Sequence, residues 1–338
     1  MAFPAQRLRR LRRNEALRGM VRETHLSADR FILPLFAVPG SRVREEISSL
    51  PGNYHLSVDC LVEEALSARD LGIPAVLLFG VQEARDERAS GAYAPHGIVQ
   101  EAVRALKKMA PGLIVVTDVC GCEYTANGHC GFMVDGYLDN DDSLELIAQI
   151  ALSHADAGSD MVAPACMLDG QIQAIRRLLD ANGFQNLPIM AYSAKLASKL
   201  YDPFFQEGTQ STVSFGDKRT YQMDCSNSDE AMREIALDIE EGADIVMVKP
   251  ALYCLDIVWR AKQEFHIPLA AYNVSGEYAM IDAAARLGRV DRDAVMMEAL
   301  TAIRRAGADL IVTYFAKHAA ELLGSRASRS AHAELLHV

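Results

Sequence analysis

The chain reads as an α/β protein of the (β/α)8 TIM-barrel class with an extended N-terminal arm, and three observations predict it. The first is a series of short apolar runs: FILPLFA (31–37), AVLLFG (75–80), LIVVTDV (113–119), MVAPA (161–165), PIMAYS (188–193), DIVMVK (244–249), PLAAYN (268–273) and DLIVTYF (309–315). They are nearly continuous in hydrophobicity rather than alternating, as strands buried on both faces of a parallel sheet are. The second is the helical pattern between most of them: LVEEALSARDLG (61–72), SLELIAQIALSHADAG (143–158), QIQAIRRLLDANG (171–183) and SDEAMREIALDIEEG (228–242). The third is a repeated joint. ADAGSDMV, IEEGADIV and RRAGADLI place Gly158, Gly242 and Gly307 where a left-handed residue ends a helix, and then lead into the next strand. Eight strands with helices between them fit a closed barrel. A doubly wound open sheet, the competing class, would more often show a Gly-rich phosphate turn after an early strand, and none is present.

No composition break divides residues 26–324, which we read as the barrel, and half of the residues are hydrophobic, enough for one large core. Residues 1–25 differ. AQRLRRLRRNEALRGMVRET carries Arg7, Arg9, Arg10, Arg12, Arg13, Arg18 and Arg22 on a chain of net charge −11. A nucleic-acid arm is one reading. The acidic body and the lack of interleaved aromatics favour an arm that pairs with acidic surface on a neighbouring subunit. No nucleic-acid partner is expected. Within the barrel, residues 196–227 put about thirty residues between a strand and its helix, the length of an active-site lid. The last stretch, SRASRSAHAELLHV (325–338), is set apart as a tail. No apolar run approaches the roughly 18 residues of a membrane span, and no apolar segment follows the basic start. A cytoplasmic protein without a membrane partner is expected, and an odd number of cysteines, seven, argues against a disulfide framework.

In such barrels the C-terminal strand ends face the active site. Reading those ends in order gathers Asp118 and a cysteine loop, Ser193 and Lys195, Lys249, Tyr272 and Ser275, and Tyr314. The loop, TDVCGCEYTANGHCG (117–131), holds Cys120, Cys122 and Cys130. Gly121 lets the first two thiols turn toward one point. Thiolates suit Zn²⁺, and three protein ligands leave a position for water or substrate, the catalytic pattern. His129 is expected to point away, and Cys60, Cys166, Cys225 and Cys254 read as scattered thiols. The bland alternative is three unligated thiols in a flexible loop. The two lysines end apolar strands. Desolvation and a second ammonium close by would lower both pKa values and free an amine to attack a carbonyl. For one such lysine, reaching out to water is the simpler reading; two on adjacent strands weigh against it.

TDVCGCEYTANGHCG, MAYSAKLAS, FGDKRTYQMD, EEGADIVMVKPA, AAYNVSGEYAMI and GADLIVTYFAK together resemble, in collinear order, the zinc-dependent porphobilinogen synthases, also called 5-aminolevulinate dehydratases. The likeness runs from about residue 7 to 320. It implies a lyase that condenses two 5-aminolevulinate molecules into the pyrrole porphobilinogen, with loss of two waters, in tetrapyrrole synthesis. It implies that Lys249 forms a Schiff base with one substrate, termed the P-side, and Lys195 with the other, the A-side. Ser275 and Tyr314 would hold the P-side carboxylate. The cysteines would bind zinc, and Asp118 would assist proton transfers. Glu241 matches a position where some members bind an allosteric magnesium. The family assembles as octamers in which the arm embraces a neighbour.

The lid departs from the pattern. Where the family usually reads Tyr-Gly-Pro-Phe-Arg, this chain has YDPFFQE, with Phe205 in place of an arginine that clamps the A-side carboxylate. The second clamp arginine is Lys218, followed by Arg219, while Gln222 is kept. VAPS has become VAPA, MDPAN has become MDCSN, and KPALPYLD has become KPALYCLD. Losing one guanidinium fork can cost a few kcal/mol. Two expectations follow: the ordinary synthase with a rebuilt clamp, or a paralogue that takes a different α-aminoketone on the A side. A class I aldolase would also use a barrel lysine but has no need of three thiolates. A zinc-storing oligomer without catalysis would form no imine at either lysine.

Overall fold

The computed structural model describes residues 2–82 and 84–335, with side chains described as far as residue 325. Each of the apolar runs forms a strand: β1 (Phe31–Ala37), β2 (Ala75–Gly80), β3 (Ile114–Val119), β4 (Met161–Pro164), β5 (Met190–Lys195), β6 (Ile245–Lys249), β7 (Leu269–Asn273) and β8 (Leu310–Thr313). All pair in parallel, in the order β4-β3-β2-β1-β8-β7-β6-β5. A single bridge between Val162 and Ile189 joins the two ends of that row and closes the ring. The strands are buried almost throughout, which is why their sequences show no polar face.

Helices α1 (Val58–Asp70), α2 (Ile98–Met109), α3 (Asn140–Asp156), α4 (Gln171–Ala181), α5 (Ser228–Glu241), α6 (Leu255–Phe265), α7 (Ser275–Arg286), α8 (Arg292–Ala306) and α9 (Ala316–Leu335) cover the ring. The repeated joints behave as read: Gly158, Gly242 and Gly307 have φ of 97°, 110° and 125° at the ends of α3, α5 and α8. Helix α9 carries the backbone of most of the expected tail onward to Leu335, and residues 336–338 lie outside the described residues. The arm holds a 3-10 turn (Leu8–Arg12) and a short helix (Glu15–Met20), neither of which buries a residue in its own chain. Leu8 and Met20 are 75% and 83% exposed.

One irregularity positions the site. Val246 pairs with Ala191, but Val248 pairs with Ala194, so β5 carries one more residue than β6 over this stretch. An extra residue breaks strict alternation and re-aims side chains. Tyr192 and Lys195, an odd number of positions apart, therefore both turn to the barrel mouth, and Lys195 and Lys249 become direct cross-strand partners.

Candidate active site

The cysteine loop leaves β3 and folds back on itself because two glycines allow close approach. A Cβ on Gly121 would lie 2.6 Å from the carbonyl oxygen of Cys130, and one on Gly128 would lie 2.7 Å from that of Thr212. Cys120, Cys122 and Cys130 are buried, and their sulfurs lie within 4.8 Å of one another, with Cys120 and Cys122 3.2 Å apart. Asp118, Cys120 and Glu123 form a second buried group on the same 4.8 Å scale. His129 turns away from the sulfurs, as expected. Its ring bonds the Tyr221 hydroxyl (3.0 Å) and the Phe215 carbonyl (3.1 Å), which ties the cysteine loop to the lid.

The two lysines sit in opposite surroundings. Lys249 Nζ faces aromatic rings on several sides: 4.3 Å from the centre of Tyr272, 5.1 Å from Tyr192 and Tyr201, and 5.2 Å from Phe204. Burial first, and then the charge of Lys195, pull its pKa down to about 7. Lys195 donates to the Ala165 carbonyl at 2.5 Å. Burial works to lower its pKa too, but the thiols of Cys130, Cys120 and Cys122 outweigh it and hold the ammonium above its ordinary value. This corrects the expectation that both amines are brought down. Repulsion between them is real, but at Lys195 the sulfurs, Cys130 first, outweigh burial, whereas at Lys249 burial and the Lys195 charge outweigh Asp118 and the sulfurs. Asp118 lies among all of these groups; burial and the nearby Glu123 carboxylate raise it to about 7 despite both lysines.

Around this floor stand the groups that can hold a substrate. The Tyr314 and Tyr272 hydroxyls meet at 3.2 Å. Ser275, at the start of α7, accepts from the Phe204 amide and donates to the Leu200 carbonyl, so it touches the lid from below. The lid itself is not a plain loop. It forms a 3-10 turn (Lys199–Tyr201) and a π-helical turn (Phe204–Gly208), and returns to β5 through a bridge between Leu196 and Met223. A cavity of about 580 Å³ opens between it and the barrel, with Phe205, Lys218, Arg219 and Gln222 in its wall beside Leu196 and Pro250, the residues that follow the two lysines. Gln222 Nε2 is buried without a partner. Lys218 does not reach outward. Its Nζ lies 3.8 Å from Cys130 Sγ and 4.0 Å from the Phe205 ring centre, and the thiols keep it charged despite burial.

A family model for delta-aminolevulinic acid dehydratase matches residues 5–322. The chain belongs to that family. It is 54% identical over 325 residues to the delta-aminolevulinic acid dehydratase of Synechocystis sp., covering 95% of this chain and 99% of the relative. It is 49% identical to that of Bacillus subtilis, covering 96% and 99%. Among solved structures, the Toxoplasma gondii enzyme in complex with its product porphobilinogen superposes with a TM-score of 0.91 at 40% identity, covering 94% of this chain and 91% of that one. The chain is thus an enzyme of the hydro-lyase class, with the expected barrel.

Within this dehydratase fold, most of the residues singled out by strand ends converge: Asp118, Lys195, Lys249, Tyr272, Ser275, Tyr314 and the three cysteines share one mouth, whereas Ser193 turns to Asp238 of α5. Glu241 stands apart at the end of α5, where it accepts from the Gln173 amide. Sequence reasoning missed Tyr192, Tyr201 and Phe204, which wall Lys249, and Glu123. It also set Cys166 among scattered thiols, although that residue follows β4 and could have joined the rim list by the same rule of strand ends. Among the described residues, no helix is long and apolar enough to cross a membrane.

Proposed function

We propose that this chain condenses two molecules of 5-aminolevulinate into porphobilinogen, with loss of two waters, through imines at Lys249 and Lys195. The observation that carries this reading is the pair of buried amines in direct register on β6 and β5. Joining two ketones needs one of them turned into an electrophilic iminium and the other into a stabilised carbanion, and a lysine amine can supply either. Lys249, with its pKa near 7, is the readier nucleophile and takes the P-side ketone. Lys195 starts as an ammonium and must pass its proton on before it attacks the A-side ketone. Asp118, also near 7 and electrostatically coupled to both lysines, suits the task of taking and returning protons.

Ser275 and Tyr314, with Tyr272 bonded to the latter, are the groups for the P-side carboxylate. Lys218, Arg219 and Gln222 face the A-side carboxylate from the lid cavity, with Phe205 as its apolar wall. The thiols of Cys120, Cys122 and Cys130 fit Zn²⁺: they are soft, buried and close enough to share one ion, with Lys218 at hand to offset their charge. When bound, the ion supplies Lewis-acid polarisation of a substrate carbonyl or amine. A magnesium at Glu241 rests on resemblance, with Glu234 and Asp238 as acidic neighbours.

An octamer would give the arm, which buries none of its own residues, a surface to cover. Seven free cysteines suit a reducing compartment such as the cytoplasm. The alternative of a different A-side aminoketone rests on Phe205 and Lys218 alone, and the relatives lend it no support.

Incubation of the zinc-loaded enzyme with 5-aminolevulinate alone, followed colorimetrically, is expected to yield porphobilinogen. Borohydride during turnover should add substrate mass to Lys249. Absence of product despite bound zinc and a trapped Lys249 adduct would point to another A-side substrate. Absence of any adduct on Lys195 or Lys249 would overturn the imine mechanism itself.

A further inference from the structure

The lid's π-helical turn, Phe204–Gly208, is five residues long, too short to hold its shape by helix cooperativity, so what it leans on sets its conformation. Below it is Ser275, whose Oγ accepts from the Phe204 amide (3.2 Å) and donates to the Leu200 carbonyl (3.1 Å). Beside it is a fixed post. Residues Arg44–Glu46 and Tyr54–Leu56 form an antiparallel hairpin that pairs with the end of β1, His55 opposite Phe36. The buried side chains of Ile47 and Leu50 fix its tip, and the Tyr278 hydroxyl donates to the Pro51 carbonyl there. Three consecutive lid residues, 207–209, are tied to this post or to the loop after β2. Glu207 Oε2 accepts from the Ser48 hydroxyl (2.7 Å) and the Ser49 amide (2.8 Å). The Gly208 carbonyl accepts from His55 Nε2 (2.7 Å), and the Thr209 carbonyl from Arg85 (3.0 Å). The fit is close: a Cβ on Gly208 would lie 3.2 Å from the Phe36 ring.

From these contacts we infer that Glu207 is a positioning residue for Lys249: by pinning the π-helical turn to the hairpin, it keeps Phe204 beside the amine after substrate has drawn the Ser275 hydroxyl away from the lid. The inference rests on the reading of Ser275 as a group for the P-side carboxylate and of Lys249 as an imine-forming amine. A serine hydroxyl has one proton to give. Here it goes to the Leu200 carbonyl, and a bound carboxylate, which can only accept, must take it from there. The tie at Leu200 is therefore lost as the site fills, whereas the ties at 207–209 involve none of the groups proposed to hold substrate. Of these, Glu207 is the one that reaches out with a side chain, and its charge makes both bonds the stronger, charge-assisted kind. They hold its carboxyl below the ordinary glutamate value, so it stays ionised through the neutral range. What Glu207 secures is a wall of the amine's cage: Phe204 sits 5.2 Å from Lys249 Nζ and packs edge-on against Phe79 at 5.0 Å. A turn that swings out lets water replace that ring, and a solvated ammonium is a poor nucleophile.

Borohydride quenching at set times after mixing with 5-aminolevulinate measures the maximal rate of Lys249 labelling and the substrate concentration that half-saturates it. Glu207→Ala is expected to lower the maximal rate roughly tenfold or more, with the half-saturating concentration changed less than about twofold because Ser275 and Tyr314 are untouched. Glu207→Gln, which keeps the acceptor oxygen without the charge, should recover most of that rate. Ser48→Ala should fall between wild type and Glu207→Ala. The double variant should be no slower than Glu207→Ala alone, as two ends of one contact require. A Glu207→Ala rate equal to that of the wild type, a loss confined to the half-saturating concentration, or additive effects of the two substitutions overturns the proposal. If Glu207→Ala fails to fold, an unchanged rate in Ser48→Ala overturns it instead. Absence of a Lys249 adduct in the wild type overturns the imine reading, and this inference with it.

Discussion

The two halves of the barrel mouth hold the same side chain in opposite states. On one side Lys249 is walled by Tyr192, Tyr201, Phe204 and Tyr272; on the other Lys195 lies against the thiols of the cysteine loop. The residues are cross-strand partners at the same height of the barrel, so depth and register do not separate them. Their neighbours do. Rings offer an ammonium a modest cation–π attraction but no charge, and desolvation wins, leaving a neutral amine accessible near pH 7. Sulfur offers charge, and desolvation loses. Under the proposed two-imine mechanism, the comparison teaches that order can be set by what each lysine packs against.

The largest effect expected from breaking this symmetry is at the aromatic side. Lys249→Met keeps the length and apolar packing of the side chain and removes the nucleophile, and should lower kcat by about four orders of magnitude or more, as losing a covalent catalyst does. Rapid-quench assays with borohydride trapping would show no adduct at position 249. Persistent turnover above the trace level, with an adduct at Lys195, would mean that the roles are reversed.

The thiol side comes next. Stripping the metal with a chelator, or replacing Cys130 with Ala, should cost several kcal/mol of transition-state stabilisation, roughly two to four orders of magnitude in rate. The informative readout is the ratio of adducts. Trapping at Lys249 should persist while trapping at Lys195 falls, because the ion these sulfurs would hold is the Lewis acid for the A-side substrate that Lys195 takes under the proposed mechanism. Restoration by added zinc, and failure of restoration in Cys130→Ala, separates loss of the ion from unfolding.

How much of this contrast was legible beforehand follows from what a linear chain exposes. The strands were readable because each is buried on both faces and so shows an uninterrupted apolar run, and the joints because a helix end needs a residue at positive φ, as Gly242 shows at 110°. The rim residues were readable because strand ends point one way in a closed barrel. What failed was anything decided by neighbours from different strands. The pKa of Lys195 turns on sulfur from the loop after β3, the cage around Lys249 borrows Tyr201 and Phe204 from the lid, and Cys166 looks solitary until β4 is laid beside β3. The bulge in β5 that turns Tyr192 toward both lysines leaves no mark in the run PIMAYS. Lys218 was read as a substrate clamp, and what the sequence does not show is that its Nζ also lies beside Cys130 and the Phe205 ring.

A smaller effect sharpens the contrast through pH. With its pKa lowered to about 7, Lys249 gains its free amine as pH rises through that value, so the rate of Lys249 adduct formation should climb between about pH 6 and 8 and then level. Lys195, held above the usual lysine range, should still be gaining reactivity where Lys249 has levelled. Asp118→Asn should remove the limb contributed by the carboxyl raised to about 7 while leaving the Lys249 labelling curve in the same region. Two labelling curves that coincide would show that the halves titrate as one unit and that the separation drawn here is wrong.

The smallest effect concerns the link between the halves. Tyr201 donates to the carbonyl oxygens of both Leu196 (2.7 Å) and Lys249 (2.9 Å), and so ties the residue after one lysine to the other lysine itself. Tyr201→Phe keeps the ring that faces Lys249 and removes only that tie. Two buried carbonyls lose a donor, so about 1–3 kcal/mol of stability should go, readable as a lower denaturation midpoint at unchanged slope. If the tie only braces the lid, kcat should change by less than about tenfold and the two labelling curves should keep their places. If the tie instead sets the spacing of the two amines, the mutant's Lys249 curve will move toward higher pH or lower amplitude while its ring contacts remain. That outcome would show that the backbone, as well as the packing of each half, keeps the two lysines apart in character.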